Sequence, residues 1–190
     1  MIRISPSKLI FPVIAFSTLF LFSIAHANTY TKFALITHDA SDQSKVLNTN
    51  HNSKSISSSF PDSIRQWDNL IGSTASKYDL DPNLIAAVML QESGGNADAY
   101  SDSGAVGLMQ VMPRDGIAAS FICYAGPCFK HRPSGEELFQ PDFNVEYGAR
   151  MLAGLIQQYG NVRDALKAYG PMDMAYEYAD MVIAIWNSHT

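Results

Sequence analysis

Glu92 closes an apolar run, Asp81-Pro82-Asn83-Leu84-Ile85-Ala86-Ala87-Val88-Met89-Leu90-Gln91-Glu92. Leu84, Ile85, Val88 and Met89 recur at helical spacing, and Glu92 falls on the same stripe, seven residues after Ile85 and four after Val88. A carboxylate in line with core positions is costly unless it is paired or kept protonated. Ser93-Gly94-Gly95 follows at once, and glycine accepts the left-handed cap that stops a helix. The carboxyl group then sits partly desolvated at the negative end of the helix dipole, and both effects favour its neutral form. A carboxyl group that holds its proton near neutral pH is equipped to be the general acid in cleavage of a glycosidic bond. The segment alone also fits a surface glutamate at a frayed helix end.

A second motif lies downstream. Ser101-Asp102-Ser103-Gly104-Ala105-Val106-Gly107-Leu108-Met109-Gln110-Val111-Met112-Pro113 joins a glycine-rich loop to a short apolar segment carrying one amide. Glycines let a backbone approach a ligand closely, and Gln110 can both donate to and accept from a sugar or its acetamido group. Together, Glu92-Ser93-Gly94 and Gly104-Ala105-Val106-Gly107-Leu108-Met109-Gln110-Val111-Met112-Pro113 resemble the soluble lytic transglycosylase family, the lysozyme-like enzymes that cut the peptidoglycan glycan strand. The resemblance runs from Pro61 to Trp186.

The resemblance implies a mechanism with one carboxylate. Glu92 would protonate the glycosidic oxygen between N-acetylmuramic acid and N-acetylglucosamine, and the substrate's own acetamido group would stabilise the developing cation. Deprotonated Glu92 would then take the proton of the muramyl C6 hydroxyl, which closes on C1 as a 1,6-anhydro ring, with no cofactor and no water consumed. Ser101, Gln110 and Met112 match substrate-groove residues of the family, and Tyr169 matches a tyrosine that helps orient the acid. Read from the residues alone, Ser101 is a loop hydroxyl, Met112 is core filler and Tyr169 is an amphipathic ring at a helix end. Ala168-Tyr169 continues as Gly170-Pro171-Met172, where the family pattern has Asn-Ala-Gly, so one polar groove contact is missing. A hydrolase would need a second carboxylate across the scissile bond. Asp98 and Asp102 are nearby candidates, though both fit plain turn residues. The rival readings are a hydrolytic muramidase and a non-catalytic peptidoglycan-binding scaffold of the same fold. Family habit points to local wall opening for an envelope-spanning secretion or conjugation complex.

The elements that must position these residues are helical. The chain has 190 residues, enough for one domain after processing. Residues 1–27 read as a signal peptide: Arg3 and Lys8, an apolar stretch from Leu9 to Ile24, then Ala25-His26-Ala27. Cleavage after Ala27 leaves no stable membrane anchor and places the protein in the periplasm or cell envelope; an uncleaved anchor is the alternative. Residues 28–60 are rich in Ser and Asn and read as a flexible tether. Residues 61–190 form the catalytic domain. Ile64, Trp67, Ile71, Ala75 and Tyr78 mark one face of a first helix, and Asp81 with Pro82 opens the second. Asp142 is expected to cap a long helix whose inner face carries Val145, Gly148, Ala149, Leu152, Leu155, Ile156 and Tyr159, and Gly160 ends it. Asn161, with Asp164 three residues later, opens another helix. Tyr178, Val182, Ile185 and Trp186 mark the last. Five or six helices account for the domain. The expected fold is mainly α, a lysozyme-like single catalytic domain with a substrate groove beside the Glu92 helix and little or no sheet.

Cys123 and Cys128 flank Gly126-Pro127, and in an oxidising compartment the pair is best read as a disulfide. A metal reading would add His131, with no obvious fourth ligand and no matching zinc spacing, so no metal site is expected. His38, His51 and His189 fall in segments expected to be flexible. The net charge of -5 becomes -7 once Arg3 and Lys8 leave with the signal peptide. That balance argues against a nucleic-acid partner, which demands basic surface. It also supplies no long-range attraction to an anionic wall, so binding must rest on a shaped groove.

Overall fold

The computed structural model describes residues 54–190. The expected signal peptide, most of the tether, His38 and His51 lie outside them. Seven α-helices run through the described residues: α1 Asp62–Arg65, α2 Asp68–Tyr78, α3 Pro82–Ser93, α4 Gly135–Leu138, α5 Pro141–Tyr159, α6 Val162–Tyr169 and α7 Tyr176–Ser188. A 3-10 turn, Gly116–Ser120, leads into an antiparallel hairpin of β1, Ile122–Cys123, and β2, Gly126–Pro127. The mainly α class is as expected, and the sheet is two residues deep. No helix among the described residues is long and apolar enough to cross a membrane.

Helix α3 is the axle. Leu84 through Met89 are all buried, so the helix is enclosed all round and does not bury a single stripe. A helix apolar on every face belongs inside a core, and α2, α7 and α1 supply the walls. Each fully buried Leu or Ile there contributes about 1.5–3 kcal/mol through removal from water. Helix α5 packs on α2 and α6, and α6 on α7. Arg163 on α6 forks onto Asp180 of α7 at 2.6 and 2.8 Å. Both side chains are about half exposed, so the apolar packing holds these helices far more than the ion pair does.

Several helix ends form as their local chemistry dictates. The Asp81 side chain accepts from Asn83 N–H at 2.8 Å, with Pro82 in the first turn. Gly94 ends α3 in the left-handed region, at φ 63°. The Asn161 side chain accepts from Asp164 N–H at 2.9 Å.

Four expectations are corrected. The first helix is broken into α1 and α2 at Trp67, whose N–H tightens back onto Ile64 O at 2.9 Å, whose backbone lies at φ -96° and ψ 7°, and whose indole N–H reaches Gly95 O at 3.0 Å. That break, with the four-residue α4, raises the count to seven helices among the described residues. Gln140, not Asp142, is the N-cap of α5; Pro141 occupies the first turn beside Asp142. His189 stacks on Phe60 with ring centroids 4.0 Å apart, so the last turn is anchored.

The final stretch of the expected tether is also tied down. Ile56 N–H donates to Asp68 at 2.8 Å, Ser57 N–H donates to Asn83 at 2.8 Å, and Lys54 reaches Leu80 O at 3.0 Å. Ile56 and Phe60 are buried. Two apolar side chains spaced four apart dock the stretch, and Asp68 and Asn83 take up its backbone N–H groups.

Candidate active site

The last turn of α3 presents Glu92, half-buried, with its carboxylate accepting a hydrogen bond from the Tyr178 hydroxyl. Tyr178 is fully inside, on the face of α7 that packs against α3. Burial pushes the Glu92 pKa up from 4.5 to about 7, and the Tyr178 hydrogen bond, which favours the ionised form, pulls the other way. A carboxyl group poised there can give a proton at neutral pH and take one back. Burial, and then the nearby charge of Glu92, raise the pKa of both Tyr178 and Tyr169, so each stays a hydrogen-bond donor.

The motif loop is stitched to α3 by Ser93. Its hydroxyl donates to Leu108 O at 2.9 Å and accepts from Gly95 N–H at 3.2 Å. The loop folds on itself through isolated bridges between Tyr100 and Val106 and between Val106 and Val111. Asn144 of α5, wholly buried, clamps it. The amide oxygen accepts from Met109 N–H at 2.8 Å, and the amide nitrogen donates to Val106 O and Leu138 O, both at 2.8 Å. Close approach makes the clamp possible. A Cβ on Gly107 would lie 2.3 Å from the Asn144 amide, and one on Gly148 would lie 2.6 Å from the Met109 side chain.

Each expected site residue has a definite place. Ser101 closes the loop turn: its hydroxyl accepts from Ala105 N–H at 2.9 Å and its N–H donates to Ala105 O at 3.0 Å. Gln110 has φ 45°, unusual for a residue with a side chain. Its amide nitrogen donates to Gly107 O at 3.0 Å and Ala99 O at 3.2 Å. The donors are spent on the loop, and what Gln110 can offer a ligand is its amide oxygen. Met112 is half-buried between buried Val111 and Pro113. Tyr169 ends α6 and donates to Met109 O at 2.9 Å, so it braces the motif loop while Tyr178 is the tyrosine bonded to the acid. Asp98 and Asp102 are both exposed, and Asp98 N–H is held in a turn by Asn96 at 3.0 Å. Cys123 and Cys128 are joined as a disulfide at the β1–β2 hairpin. A cleft of about 540 Å³ adjoins the motif loop, lined by Tyr100, Pro113, Asp115, Glu136 and Phe139 among others.

Tyr178 and Asn144 are the residues that sequence reasoning missed in these roles. Along the chain Tyr178 reads only as a core position of the last helix. Asn144 carries a usable signal: it shares the stripe of Gly148 and Leu152 at four-residue spacing, and a polar side chain in line with core positions demands buried partners.

A family model for the transglycosylase SLT domain matches residues 69–173. The chain is similar to membrane-bound lytic murein transglycosylase E of Buchnera aphidicola subsp. Acyrthosiphon pisum, 34% identical over 106 residues, covering 56% of this chain and 47% of that one. It is similar to the transglycosylase of Enterobacteria phage PRD1, 35% identical over 104 residues, covering 55% and 34% of the two chains. Among solved structures, an inactive mutant of lytic transglycosylase Slt from Pseudomonas aeruginosa aligns with a TM-score of 0.49 at 24% identity, covering 63% of this chain and 23% of that one. The match thus spans less than half the length of either of these two relatives. Since the family model takes in more than half of the 190 residues, the protein belongs to the transglycosylase SLT domain family.

Proposed function

We propose that the protein is a peptidoglycan lytic transglycosylase that cleaves the β-1,4 bond between N-acetylmuramic acid and N-acetylglucosamine without water. The observation that carries this reading is Glu92: a half-buried carboxyl group with its pKa raised to about 7, hydrogen-bonded to Tyr178 beside the motif loop. Neutral Glu92 donates its proton to the glycosidic oxygen as the bond breaks. The hydrogen bond from Tyr178 stabilises the carboxylate so formed. The substrate's acetamido carbonyl covers the positive charge at C1. Glu92 then accepts the proton of the C6 hydroxyl as that oxygen bonds to C1, and the 1,6-anhydro ring leaves the acid reprotonated for the next turn. Gln110 accepts a hydrogen bond from the glycan, Ser101 and Met112 border the groove, and Tyr169 keeps the loop at its height.

The family match and the names of the relatives support this activity. The test is digestion of purified sacculi in heavy-oxygen water, followed by mass analysis of the fragments. Anhydro ends without label are expected. Label at the cut muramic acid would establish a muramidase, and absence of cleavage with retained glycan binding would establish a scaffold. The working site in this reading is the cell envelope, after export by residues 1–27, with residues 28–60 as tether and 61–190 as catalytic domain. The setting would be local wall opening for an envelope-spanning secretion or conjugation complex, to be checked by fractionation of cells and by co-purification with such a complex.

A further inference from the structure

Gly170 follows Tyr169 in the chain and lies against the ring of Tyr178, the tyrosine bonded to the acid. It ends α6, with its N–H donating to Leu166 O at 3.0 Å, directly after Tyr169. Its backbone lies at φ -74° and ψ -176°, a conformation open to any residue, so the chain path does not require glycine. The neighbouring ring does. A Cβ at this position would stand 2.3 Å from Cδ1 of Tyr178, 2.4 Å from Cγ and 2.9 Å from Cε1. Contact at Cγ is contact at the root of the ring. A clash there cannot be relieved by a small movement at the tip. The whole side chain must swing, and its hydroxyl leaves the Glu92 carboxylate with it. The asparagine expected after Tyr169 would meet the same ring.

We propose that Gly170 is a positioning residue for Glu92: the side chain it lacks is the space the Tyr178 ring fills, and through that ring it sets where the Tyr178 hydroxyl meets the carboxyl group. The proposal builds on Glu92 as the acid. The phenol held against the acid comes from α7. The titratable groups that bear on this centre are Tyr178, bonded to Glu92, and Tyr169 on α6, with Arg132 acting on Tyr169. The direction of the effect follows from the chemistry. A donor to a carboxylate favours its ionised form, so displacing the Tyr178 hydroxyl makes Glu92 titrate at higher pH.

The test is a carbon NMR titration of the Glu92 carboxyl group in the parent, Gly170→Ala, Tyr178→Phe and the double variant. Gly170→Ala and Tyr178→Phe should each move the Glu92 midpoint upward by about one pH unit, the worth of a hydrogen bond to a charged group. The double variant should move it no further than either alone. A parent-like midpoint in Gly170→Ala, with Tyr178→Phe displaced, would overturn the proposal, as would Tyr178→Phe leaving the midpoint in place. Because this readout is independent of cleavage, a displaced midpoint whose activity profile does not follow counts against Glu92 as the acid and leaves the Gly170 coupling standing. Should Gly170→Ala fail to fold, the Tyr178→Ala background carries the spatial test, since a side chain without Cγ leaves room for a methyl group at 170 and should restore the fold. Loss of the fold there as well refutes the spatial argument.

Discussion

Replacing Glu92 with glutamine should make the protein more stable, and only at the upper end of the pH range. The folded state raises the Glu92 pKa from 4.5 to about 7, so between those values the folded state holds a proton that the unfolded chain has released. Stability therefore falls as pH rises through this window. Below it the group is neutral in both states and costs nothing. Above it the full penalty applies, about 3 kcal/mol at about 1.36 kcal/mol for each pH unit between the two values. That is an upper figure, because the half-open face of Glu92 keeps some screening by solvent. Glutamine cannot ionise, and its amide oxygen can still accept from Tyr178. The two proteins should match near pH 4.5, and the variant should lead by up to about 3 kcal/mol near pH 8.5. Glu137, Glu146, Asp164 and Asp180 have lowered pKa values and lose their contributions as pH falls, but equally in both proteins, so they cancel in the difference. Urea unfolding at several pH values measures it. A difference that stays flat within about 0.5 kcal/mol, or one that grows toward low pH, would refute the idea that Glu92 is held partly desolvated.

In turbidity assays on sacculi, Glu92→Gln should lose at least about 10²–10⁴-fold in cleavage while retaining glycan binding. The parent's activity should fall as pH rises through about 7, where Glu92 gives up the proton it must donate. Asn144→Ala strips partners from Met109 N–H, Val106 O and Leu138 O and should cost about 3 kcal/mol or more in urea unfolding; a cost below about 1 kcal/mol would mean the clamp is not holding the loop. Serine at both Cys123 and Cys128 should cost about 2 kcal/mol of stability for so short a ring and lower the melting temperature, yet leave cleavage measurable at low temperature. Thiol titration of the unfolded, unreduced protein should find no free thiol.

How much of the site could be read in advance depended on the distance between partners along the chain. The Asp81 cap, the Gly94 stop and the Asn161–Asp164 cap were readable because each involves a side chain and backbone within a few residues. The break between α1 and α2 was not. Ile64, Trp67 and Ile71 keep helical spacing across it, and the Trp67 indole N–H at the break is received by a distant carbonyl on Gly95. Likewise the cap of α5 moved to Gln140, since a proline in the first turn already pre-sets the backbone and leaves Asp142 inside the helix.

The acid and its loop announce themselves in the sequence because an out-of-place carboxyl group on an apolar stripe and a glycine-rich motif are local irregularities. Residue types and spacing along the chain therefore specify a mainly helical domain, the end of α3, the pairing of Cys123 with Cys128 and Glu92 as the candidate acid. Which phenol meets that carboxyl group is a tertiary matter. Along the chain Tyr169 is the tyrosine expected at the acid and Tyr178 reads only as a core position, yet the hydroxyl that meets Glu92 belongs to Tyr178, 86 residues away. The contact is decided by how α7 packs on α3 and α6, by the absence of a Cβ at Gly170, and by Gly148 admitting Met109 to the carbonyl contact that occupies Tyr169. Hydrogen-bond partners of this kind are set by volume exclusion among packed helices, which depends on all the walls together and is not written in any one segment.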